Sequence, residues 1–324
     1  MSRSERLTVE RVSAAWGGAP VLHDVSLGVG DAEFVSLLGP NGSGKTTLLR
    51  IIAGLETPNS GEVYLNGRCV THVPTHRRGI GMLAQDPALF PRRTVFENIA
   101  YGLRLRREPE AEVRRKVGEL AELLHLEGVL LRHPEQLSGG QRQRVSIARS
   151  MAPGPTLLLL DEPFENLDPE IRAELRAEVK PILRERGIAC LHVTHDLEEG
   201  LFLGDRVALL REGHLLQVGP PNEVFRAPAS EGAARLLGYN IIGEGEARVA
   251  VHPTDLEIVP AGESTVRGAV IGVGPSGPGW VGHVRLVSGT SAELRGVGPP
   301  PAVVAGEAVG LRFARRVAIS PNSD

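Results

Sequence analysis

Short apolar runs alternate with amphipathic stretches along the first 237 residues of the chain. Phe34–Leu38, Leu157–Leu160 and Ile188–Val193 are such runs, and each has the pattern of a strand that is buried on both faces of a sheet. In Glu110–Leu126, apolar residues instead recur at the spacing of a helix. The alternation of strands with helices predicts an α/β fold that is built around a parallel sheet.

Turn and cap signals divide the same region into elements. Leu7–Ala15 and Val21–Val29 have the composition of strands. The pair Asn66-Gly67 lies between two shorter strand-like segments and predicts a tight type I′ hairpin. Thr94 and Glu97 have the spacing of a capping box, which predicts that a helix begins there.

The composition changes near residue 238. Residues 238–324 contain 15 glycines and eight prolines but no lysine, and their apolar runs are short. Turn-forming pairs such as Ser288-Gly289 separate these runs, as in small β-barrels and sandwiches. We therefore predict an α/β domain over residues 1–237 and a small β-domain over residues 238–324. The predicted strands of the second domain are Ala247–Val251, Thr265–Val273, Val281–Val287, Ala308–Phe313 and Val317–Ile319.

Composition narrows the classes of function. The 324 residues are 41% hydrophobic and 23% charged, with a net charge of −3. This balance is typical of a globular protein and provides no basic field for binding nucleic acid. The longest segment without Asp, Glu, Lys or Arg, Gly268–Val284, is too rich in Gly and Pro to be a membrane-spanning helix. Cys69 and Cys190 lack metal-ligand spacing and are predicted to be buried, reduced thiols of a cytosolic protein.

A glycine-rich segment follows the strand Phe34–Leu38. It reads Gly39-Pro40-Asn41-Gly42-Ser43-Gly44-Lys45-Thr46, which is the P-loop pattern. Glycines let several backbone N–H groups face one phosphate chain, and the following helix points its positive end at the same place. Lys45 is expected to reach the β- and γ-phosphates, and the Thr46 hydroxyl to bind Mg²⁺. The residues predicted to bind nucleotide here are Gly39, Asn41, Gly42, Ser43, Gly44, Lys45, Thr46 and Thr47.

Two carboxylates end the apolar run Leu157–Leu160. Asp161 is predicted to hold the metal ion, directly or through water. Glu162 is predicted to orient and deprotonate the attacking water. A strand that ends in Asp-Glu is common by itself, so these roles depend on the P-loop in the same chain.

A third motif, Leu137-Ser138-Gly139-Gly140-Gln141, precedes another helix-compatible segment. The Ser138 hydroxyl and the N–H groups of Gly139 and Gly140 form a second anion site at a helix N-terminus, completed by Gln141. Ser followed by Gly can also cap a helix without any ligand. Two such helix ends in one chain suggest that one of them contacts the phosphates of a nucleotide held by a partner subunit.

Together the three motifs resemble the ATP-binding subunits of ABC transporters, and within that family the importer ATPases with an extra C-terminal β-domain. The motifs cover about residues 1–237, and the likeness over 238–324 is loose. The resemblance implies a P-loop ABC ATPase domain, with a mixed sheet and a helical subdomain. It also implies a small all-β, barrel-like regulatory domain of the TOBE or OB type after it, and ATP and Mg²⁺ as cofactors.

The resemblance also assigns roles to single residues. Gln85 matches a glutamine that contacts Mg²⁺ and the attacking water, and His195 matches the switch histidine that contacts the γ-phosphate. Trp16 stands where an aromatic residue stacks on adenine, and Asp168 matches the loop that crosses the dimer interface. The segment Ala88–Pro91 is expected near the docking surface for membrane subunits.

Three departures from the family pattern stand out, and one of them is Gly200, where Ala is usual and which costs about 1 kcal/mol of helix propensity. Glu165 stands where a small residue, often Ser, is common, and it adds a carboxylate near the nucleotide. Val251–Thr254 stands where such importers often show Arg-Pro-Glu, so a regulatory role carries over less directly to the C-terminal domain.

The implied function is ATP hydrolysis that drives solute uptake at the cytoplasmic face of the cell membrane. The implied partners are a second copy in a head-to-tail ATP-sandwich dimer, two transmembrane permease subunits and, indirectly, an extracytoplasmic solute-binding protein. No nucleic acid partner is expected. The predicted solute is an inorganic ion of the iron, molybdate/tungstate or sulfate type, and Asn240–Gly245 hints at molybdate/tungstate.

Alternatives remain at this stage. The solute is alternatively a polyamine, thiamine or a sugar. A soluble ABC ATPase with no role in transport is the rival class, although such proteins often carry two ATPase halves or a coiled-coil insertion that this chain lacks. Membership of the P-loop GTPases or kinases is disfavoured, because those proteins have no counterpart of the segment Leu137–Gln141.

Overall fold

The computed structural model of the chain describes residues 5–243, 248–297 and 299–318. Its backbone forms two compact units, Met1–Pro221 and Asn222–Asp324. The sequence-based boundary at residue 237 lies further along the chain and stays a prediction. The first unit contains two large hydrophobic clusters, and the second unit has a core of its own.

The first unit contains ten strands and six helices in its described part. The strands are β1 (Glu5–Trp16), β2 (Ala19–Gly30), β3 (Phe34–Leu38), β4 (Ser60–Leu65), β5 (Arg68–Cys69), β6 (Gly81–Leu83), β7 (Leu157–Asp161), β8 (Ala189–Thr194), β9 (Arg206–Arg211) and β10 (His214–Gly219). The helices are α1 (Lys45–Ala53), α2 (Val95–Leu105), α3 (Glu110–Leu123), α4 (Gly139–Met151), α5 (Pro169–Glu185) and α6 (Leu197–Leu203). Within the described residues, no helix of either unit has the length and apolar character needed to cross a membrane.

The strands of this unit form two sheets. The larger sheet has the order β10-β9-β3-β8-β7-β6; its strands run parallel except for β10, which pairs antiparallel with β9. The smaller sheet, in the order β2-β1-β4-β5, is antiparallel throughout. The predicted α/β class, with a mixed sheet, is confirmed.

The strand β7 shows why its sequence is an unbroken apolar run. Leu158 and Leu160 belong to one core, which they share with the helices α2 to α5. Leu157 and Leu159 belong to a second core, between the two sheets and α1. All four side chains are fully buried because both faces of the strand are covered. Asp161, which follows them, ends the strand at the carboxyl edge of the sheet, where ligands of α/β proteins bind.

Local signals were predicted well, and one burial prediction was wrong. Thr94 and Glu97 form both bonds of a capping box at the start of α2. Asn66 and Gly67 adopt positive φ values of 51° and 73°, as a type I′ turn requires. Cys190 is buried, but Cys69 is exposed. The reason is position: Cys69 lies in the two-residue strand β5 at the edge of the smaller sheet, where no neighbouring strand covers it.

The second unit is mainly β. After α7 (Pro221–Arg226) and α8 (Glu231–Leu236) come a three-stranded sheet, β11-β12-β18, and a five-stranded sheet, β13-β17-β14-β15-β16. The bounds are β11 (Asn240–Ile242), β12 (Val249–Val251), β13 (Leu256–Pro260), β14 (Val266–Ser276), β15 (Gly279–Leu286), β16 (Ser291–Val297), β17 (Ala308–Phe313) and β18 (Val317–Ala318). A small β-domain was predicted and is confirmed in class, but β11, β13 and β16 were missed because charged and polar residues interrupt their apolar pattern. Ala247 and Ile319, at the ends of two predicted strands, and residues 244–245 of the segment taken as a solute hint lie outside the described residues.

Candidate nucleotide-binding site

The loop between β3 and α1 ends in a helix N-terminus with no side-chain cap. Gly44 is its N-cap residue and has a φ of 102°, and a Cβ there would lie 2.6 Å from the Leu22 side chain. Glycine is therefore required by both conformation and space. Among the described residues, the buried hydroxyl of Ser43 has no hydrogen-bond partner. An uncapped helix end beside an unsatisfied hydroxyl is a site suited to an anion.

Lys45 is the first residue of α1 and is almost fully buried. Its Nζ donates hydrogen bonds to the carbonyl oxygens of Gly39 (2.8 Å) and Pro40 (3.0 Å) and lies 3.8 Å from Glu162 Oε1. Burial lowers the pKa of the Lys45 ammonium, while the charges of Glu162 and Asp161 act in the opposite direction. An incoming phosphate would supply the negative charge that favours the ammonium form.

Thr46 and Asp161 bring two oxygen ligands together across the loop. Thr46 Oγ1 donates a hydrogen bond to Asp161 Oδ1 at 3.2 Å. Burial raises the pKa of the Asp161 carboxyl, and the Thr46 hydrogen bond and the Lys45 charge offset this effect in part. A buried carboxylate and a hydroxyl at a phosphate cleft are the hard oxygen donors that Mg²⁺ prefers. The residues present therefore fit this ion.

Glu162 follows Asp161 and has a strained backbone conformation. Its φ of 47° is in the left-handed region, and its N–H donates to the Val193 carbonyl oxygen at 3.0 Å. A non-glycine residue held there stores backbone strain, which is typical of functional turns. The turn aims the Glu162 carboxylate at the loop, where Oε2 lies 3.1 Å from His195 Nδ1. The carboxylate thus joins the lysine of the P-loop to the predicted switch histidine.

Gln85 reaches the same place from the segment after β6. Its Nε2 donates a hydrogen bond to Glu165 Oε2, and Glu165 Oε1 lies 4.0 Å from His195 Nε2. Gln85 and Glu165 line a cleft of about 350 Å³, whereas His195 lines a second cavity of about 200 Å³ that Glu165 also lines. The residues that line the larger of the two are Val21, Asn41, Gly42, Gly44, Lys45, Thr46, Thr47, Gln85, Glu162 and Glu165.

The other predicted residues lie elsewhere in the unit. Ser138 is the N-cap of α4, and it exchanges both capping-box hydrogen bonds with Gln141. Gly139 is exposed, and Gly140 packs so closely that a Cβ would lie 2.6 Å from the side chain of Ile171 in α5. Asp168 is the exposed N-cap of α5. This second helix end presents a surface rather than a cleft.

Trp16 is at the tip of the hairpin formed by β1 and β2. Its side chain is 50% exposed, so it is not a core residue. Val21, from the same hairpin, lines the phosphate cleft. The indole is therefore accessible to a ligand, and stacking on adenine stays a prediction.

Sequence reasoning missed a buried network behind the switch histidine. His192 Nε2 lies 2.8 Å from Glu199 Oε1, and Arg176 Nε donates to Glu199 Oε2 at 2.8 Å. Arg176 also pairs with Asp196, the residue after His195. Burial alone would raise the pKa of Glu199, but the hydrogen bond from His192 and the Arg176 charge leave it lowered. A histidine inside an apolar strand, seven residues before a glutamate, was the available signal.

Comparison with known proteins gives a consistent result. The profile of the ABC transporter family matches residues 22–165. The molybdate/tungstate import ATP-binding protein WtpC of Thermococcus kodakarensis is 50% identical over 224 residues, which are 69% of this chain and 68% of that protein. The spermidine/putrescine import ATP-binding protein PotA of Acidothermus cellulolyticus is 45% identical over 238 residues, 73% of this chain and 62% of that protein.

A solved structure has the same fold. The protein cbiO1 of Clostridium perfringens, part of the ABC transporter complex cbiONQ, superimposes with a TM-score of 0.65. It is 29% identical, and the match covers 68% of this chain and 91% of that one. The chain belongs to the ABC transporter family as an ATP-binding subunit of the import type, and it is an ATP hydrolase.

Proposed function

We propose that ATP binds with its phosphates in the cleft around Lys45 and is hydrolysed there with Glu162 as the general base. The observation that carries this proposal is the position of the Glu162 carboxylate, 3.8 Å from Lys45 Nζ and 3.1 Å from His195 Nδ1. A carboxylate held between the phosphate-binding lysine and a histidine can take a proton from a water that attacks the γ-phosphate. Positioning and charge stabilisation then supply most of the catalysis.

The remaining cleft residues receive roles from their chemistry. The N–H groups of the loop, from Gly39 to Thr47, and the Ser43 hydroxyl bind the phosphates. Thr46, Asp161 and Gln85 would hold Mg²⁺, which neutralises charge on the phosphate oxygens when it is bound. His195 donates a hydrogen bond to the γ-phosphate, and the Trp16 indole stacks on adenine.

The working form is a head-to-tail dimer. In one chain the phosphate cleft and the segment Ser138–Gln141 belong to different helix ends, and the second of these is exposed. Across a dimer, the α4 end of one copy covers the nucleotide held by the other, with Asp168 at the interface. ATP between the two copies closes the dimer, and hydrolysis lets it open.

Membrane partners bind beside the segment Ala88–Pro91. Arg149 donates to the Ala88 carbonyl oxygen at 2.9 Å, and the Phe90 and Tyr101 rings pack with their centroids 4.5 Å apart. These contacts give the segment a fixed shape. We place the chain at the cytoplasmic face of the membrane, where it binds two permease subunits. A solute-binding protein on the other side of the membrane delivers the solute to these subunits.

The proposed solute is an inorganic oxyanion of the molybdate/tungstate type. Support comes from the relative with 50% identity, whereas the polyamine importer relative has 45% identity over a smaller share of its own length. We assign the part after residue 237 a regulatory role, because every residue proposed for the chemistry lies before it. Its strands form a TOBE-like or OB-like β-domain in this proposal.

The test is solute uptake by cells that carry the wild-type gene, the Glu162→Gln variant or neither. Uptake of radiolabelled molybdate or tungstate that requires the wild-type chain supports the full proposal. Uptake of putrescine or Fe³⁺ instead would replace the solute and keep the mechanism. No effect on any solute, together with no membrane protein that co-purifies with the chain, would favour the soluble ATPase class.

A further inference from the structure

Glu165 is a charged residue of the cleft that the mechanism above does not use. It lines the phosphate cleft of about 350 Å³ and also the adjoining cavity of about 200 Å³, which reaches Arg176 and Glu199. Its carboxylate accepts a hydrogen bond from the Gln85 amide through Oε2, while Oε1 lies 4.0 Å from His195 Nε2. One side chain therefore forms a hydrogen bond with Gln85 and lies at the outer limit of ion-pair distance from His195.

Hydrogen bonds fix the backbone of Glu165, from which its exposed side chain extends. Arg172 Nη2 donates hydrogen bonds to the carbonyl oxygens of Glu165 (3.1 Å) and Leu167 (3.0 Å). The Glu165 N–H donates to the Glu162 carbonyl oxygen at 3.4 Å. Because α5 begins at Pro169, shortly after this turn, the backbone position of Glu165 is tied to the start of that helix.

We propose that the Glu165 carboxylate competes with the γ-phosphate of ATP for Gln85 and His195. This inference rests on the proposed function, in which both side chains act at the γ-phosphate. Before ATP binds, Glu165 supplies the anionic oxygens that the γ-phosphate later supplies. Binding of ATP then requires Glu165 to release both partners, so Glu165 lowers the affinity for ATP and sets the state from which the site closes.

The charges in the cleft make the competition specific for the γ-phosphate. Lys45 faces the carboxylates of Asp161, Glu162 and Glu165 before any phosphate arrives. The γ-phosphate adds more negative charge next to Glu162 and Glu165, whereas the β-phosphate is bound by the loop and the α1 N-terminus. Glu165 is exposed, so repulsion between its carboxylate and the γ-phosphate is moderate and is reduced by salt. Glu165 therefore penalises ATP more than ADP.

The experiment is isothermal titration of the full chain with AMP-PNP and with ADP, in the presence of Mg²⁺. Glu165→Gln keeps the shape and removes the charge, and we expect AMP-PNP to bind about threefold to tenfold more tightly while ADP changes by less than about twofold. Glu165→Ser should likewise tighten the binding of AMP-PNP more than the binding of ADP. Glu165→Asp keeps the charge on a shorter side chain and should tighten AMP-PNP binding less than Glu165→Gln does. Raising the salt from about 0.05 to about 0.5 M should shrink the difference between wild type and Glu165→Gln.

The matched control is Glu170→Gln, which removes an exposed carboxylate in the first turn of the helix that follows Glu165. It should leave both affinities unchanged. Equal AMP-PNP affinity in wild type and in folded Glu165→Gln or Glu165→Ser would overturn the inference, and so would an equal gain for ADP. If wild type and every variant bind no nucleotide at all, the proposed function fails instead. Thermal melting curves identify any variant that does not fold. The remaining Glu165 variants then show whether the carboxylate lowers the affinity for AMP-PNP.

Discussion

Two helix N-termini in the first unit were predicted to bind anions, and the structure builds them differently. At the start of α1, Gly44 gives no side-chain cap, and the nearby Ser43 hydroxyl is buried without a partner among the described residues. At the start of α4, Ser138 accepts a hydrogen bond from the Gln141 N–H at 3.2 Å and donates its own N–H to Gln141 Oε1 at 3.1 Å. The first end is incomplete without a ligand, whereas the second is complete in the single chain.

The difference separates a binding cleft from a covering surface. Unsatisfied donors next to a buried lysine create a site that gains free energy only when phosphate arrives. A helix end that already has its cap can fold and stay exposed until a second copy brings a nucleotide to it. Small residues precede both helices, yet one helix end forms a binding cleft and the other a covering surface. The hydrogen bonds of the two caps distinguish these roles.

The largest expected effect comes from the chemistry next to α1. Glu162→Gln keeps the shape of the side chain and removes the general base, so we expect ATP turnover to fall by about 10²-fold or more while ATP still binds. ATP should then hold the chain as a dimer that elutes early in gel filtration. Turnover near the wild-type rate, measured by phosphate release, would remove Glu162 from this role.

The second prediction tests whether the two helix ends meet across a dimer. Lys45→Ala disables the α1 end, and Gly139→Asp places a carboxylate at the α4 end, where the backbone has space for a Cβ and a negative charge suits the helix dipole. Each variant alone should lose nearly all ATPase activity. An equimolar mixture should recover about a quarter of the wild-type activity, because about half the dimers are mixed and each has one whole site.

The control for this mixture is each variant mixed with itself, at the same total concentration. Gly139→Asp with normal activity on its own would contradict the composite site. Mixed dimers that form, as shown by differently tagged copies, but stay inactive would show that the two sites do not work independently.

Features that depend on residues close in sequence were the ones that the sequence predicted. The run Leu157–Leu160 with Asp161 after it, and the capping box of Thr94 and Glu97, are encoded within a few positions and appear as expected. The pairing of Gln85 with Glu165 joins residues 80 positions apart, and no local pattern indicates such a contact. The sequence marked Glu165 as unusual but not which side chains it engages.

The burial of single residues was the second property that the sequence did not predict reliably. Cys69 precedes the buried Val70, but strand order placed it at an edge, and strand order is a property of the whole sheet. His192 shows the opposite case, because a polar residue in an apolar run is fully buried once Glu199 and Ser36 provide partners. Both outcomes follow from tertiary neighbours rather than from propensity.

A third prediction concerns the base of the nucleotide, which the α1 end alone does not bind. If Trp16 stacks on adenine, Trp16→Ala should weaken ATP binding by about tenfold, a stacking contribution of about 1–2 kcal/mol. Trp16→Tyr should restore most of the affinity. Isothermal titration measures the affinities of all forms, and quenching of Trp16 fluorescence in a Trp280→Phe variant, whose remaining tryptophan is Trp16, reports the stacking itself. Equal affinities in all forms would show that the exposed indole has another role.

The smallest effect tests the comparison of the caps directly, by the free energy of unfolding without nucleotide. Ser138→Ala removes a helix cap and should destabilise the first unit by about 1 kcal/mol. Ser43→Ala removes a buried hydroxyl that has no partner among the described residues, so stability should stay equal or rise by up to about 1 kcal/mol. Urea titration followed by circular dichroism measures both.

Adding MgATP to the same titrations should reverse the order of stability of Ser43→Ala and wild type, so that wild type becomes the more stable of the two. The nucleotide stabilises the wild type by RT ln(1 + [MgATP]/Kd), and Ser43→Ala should gain less because its loop has lost one donor to the phosphates and its Kd is higher. Ser138→Ala should gain as much as wild type at protein concentrations too low for dimers, because its cap does not contact the nucleotide of its own chain. If both variants lose stability equally without nucleotide, the two helix ends are equivalent and the distinction drawn between cleft and surface is wrong.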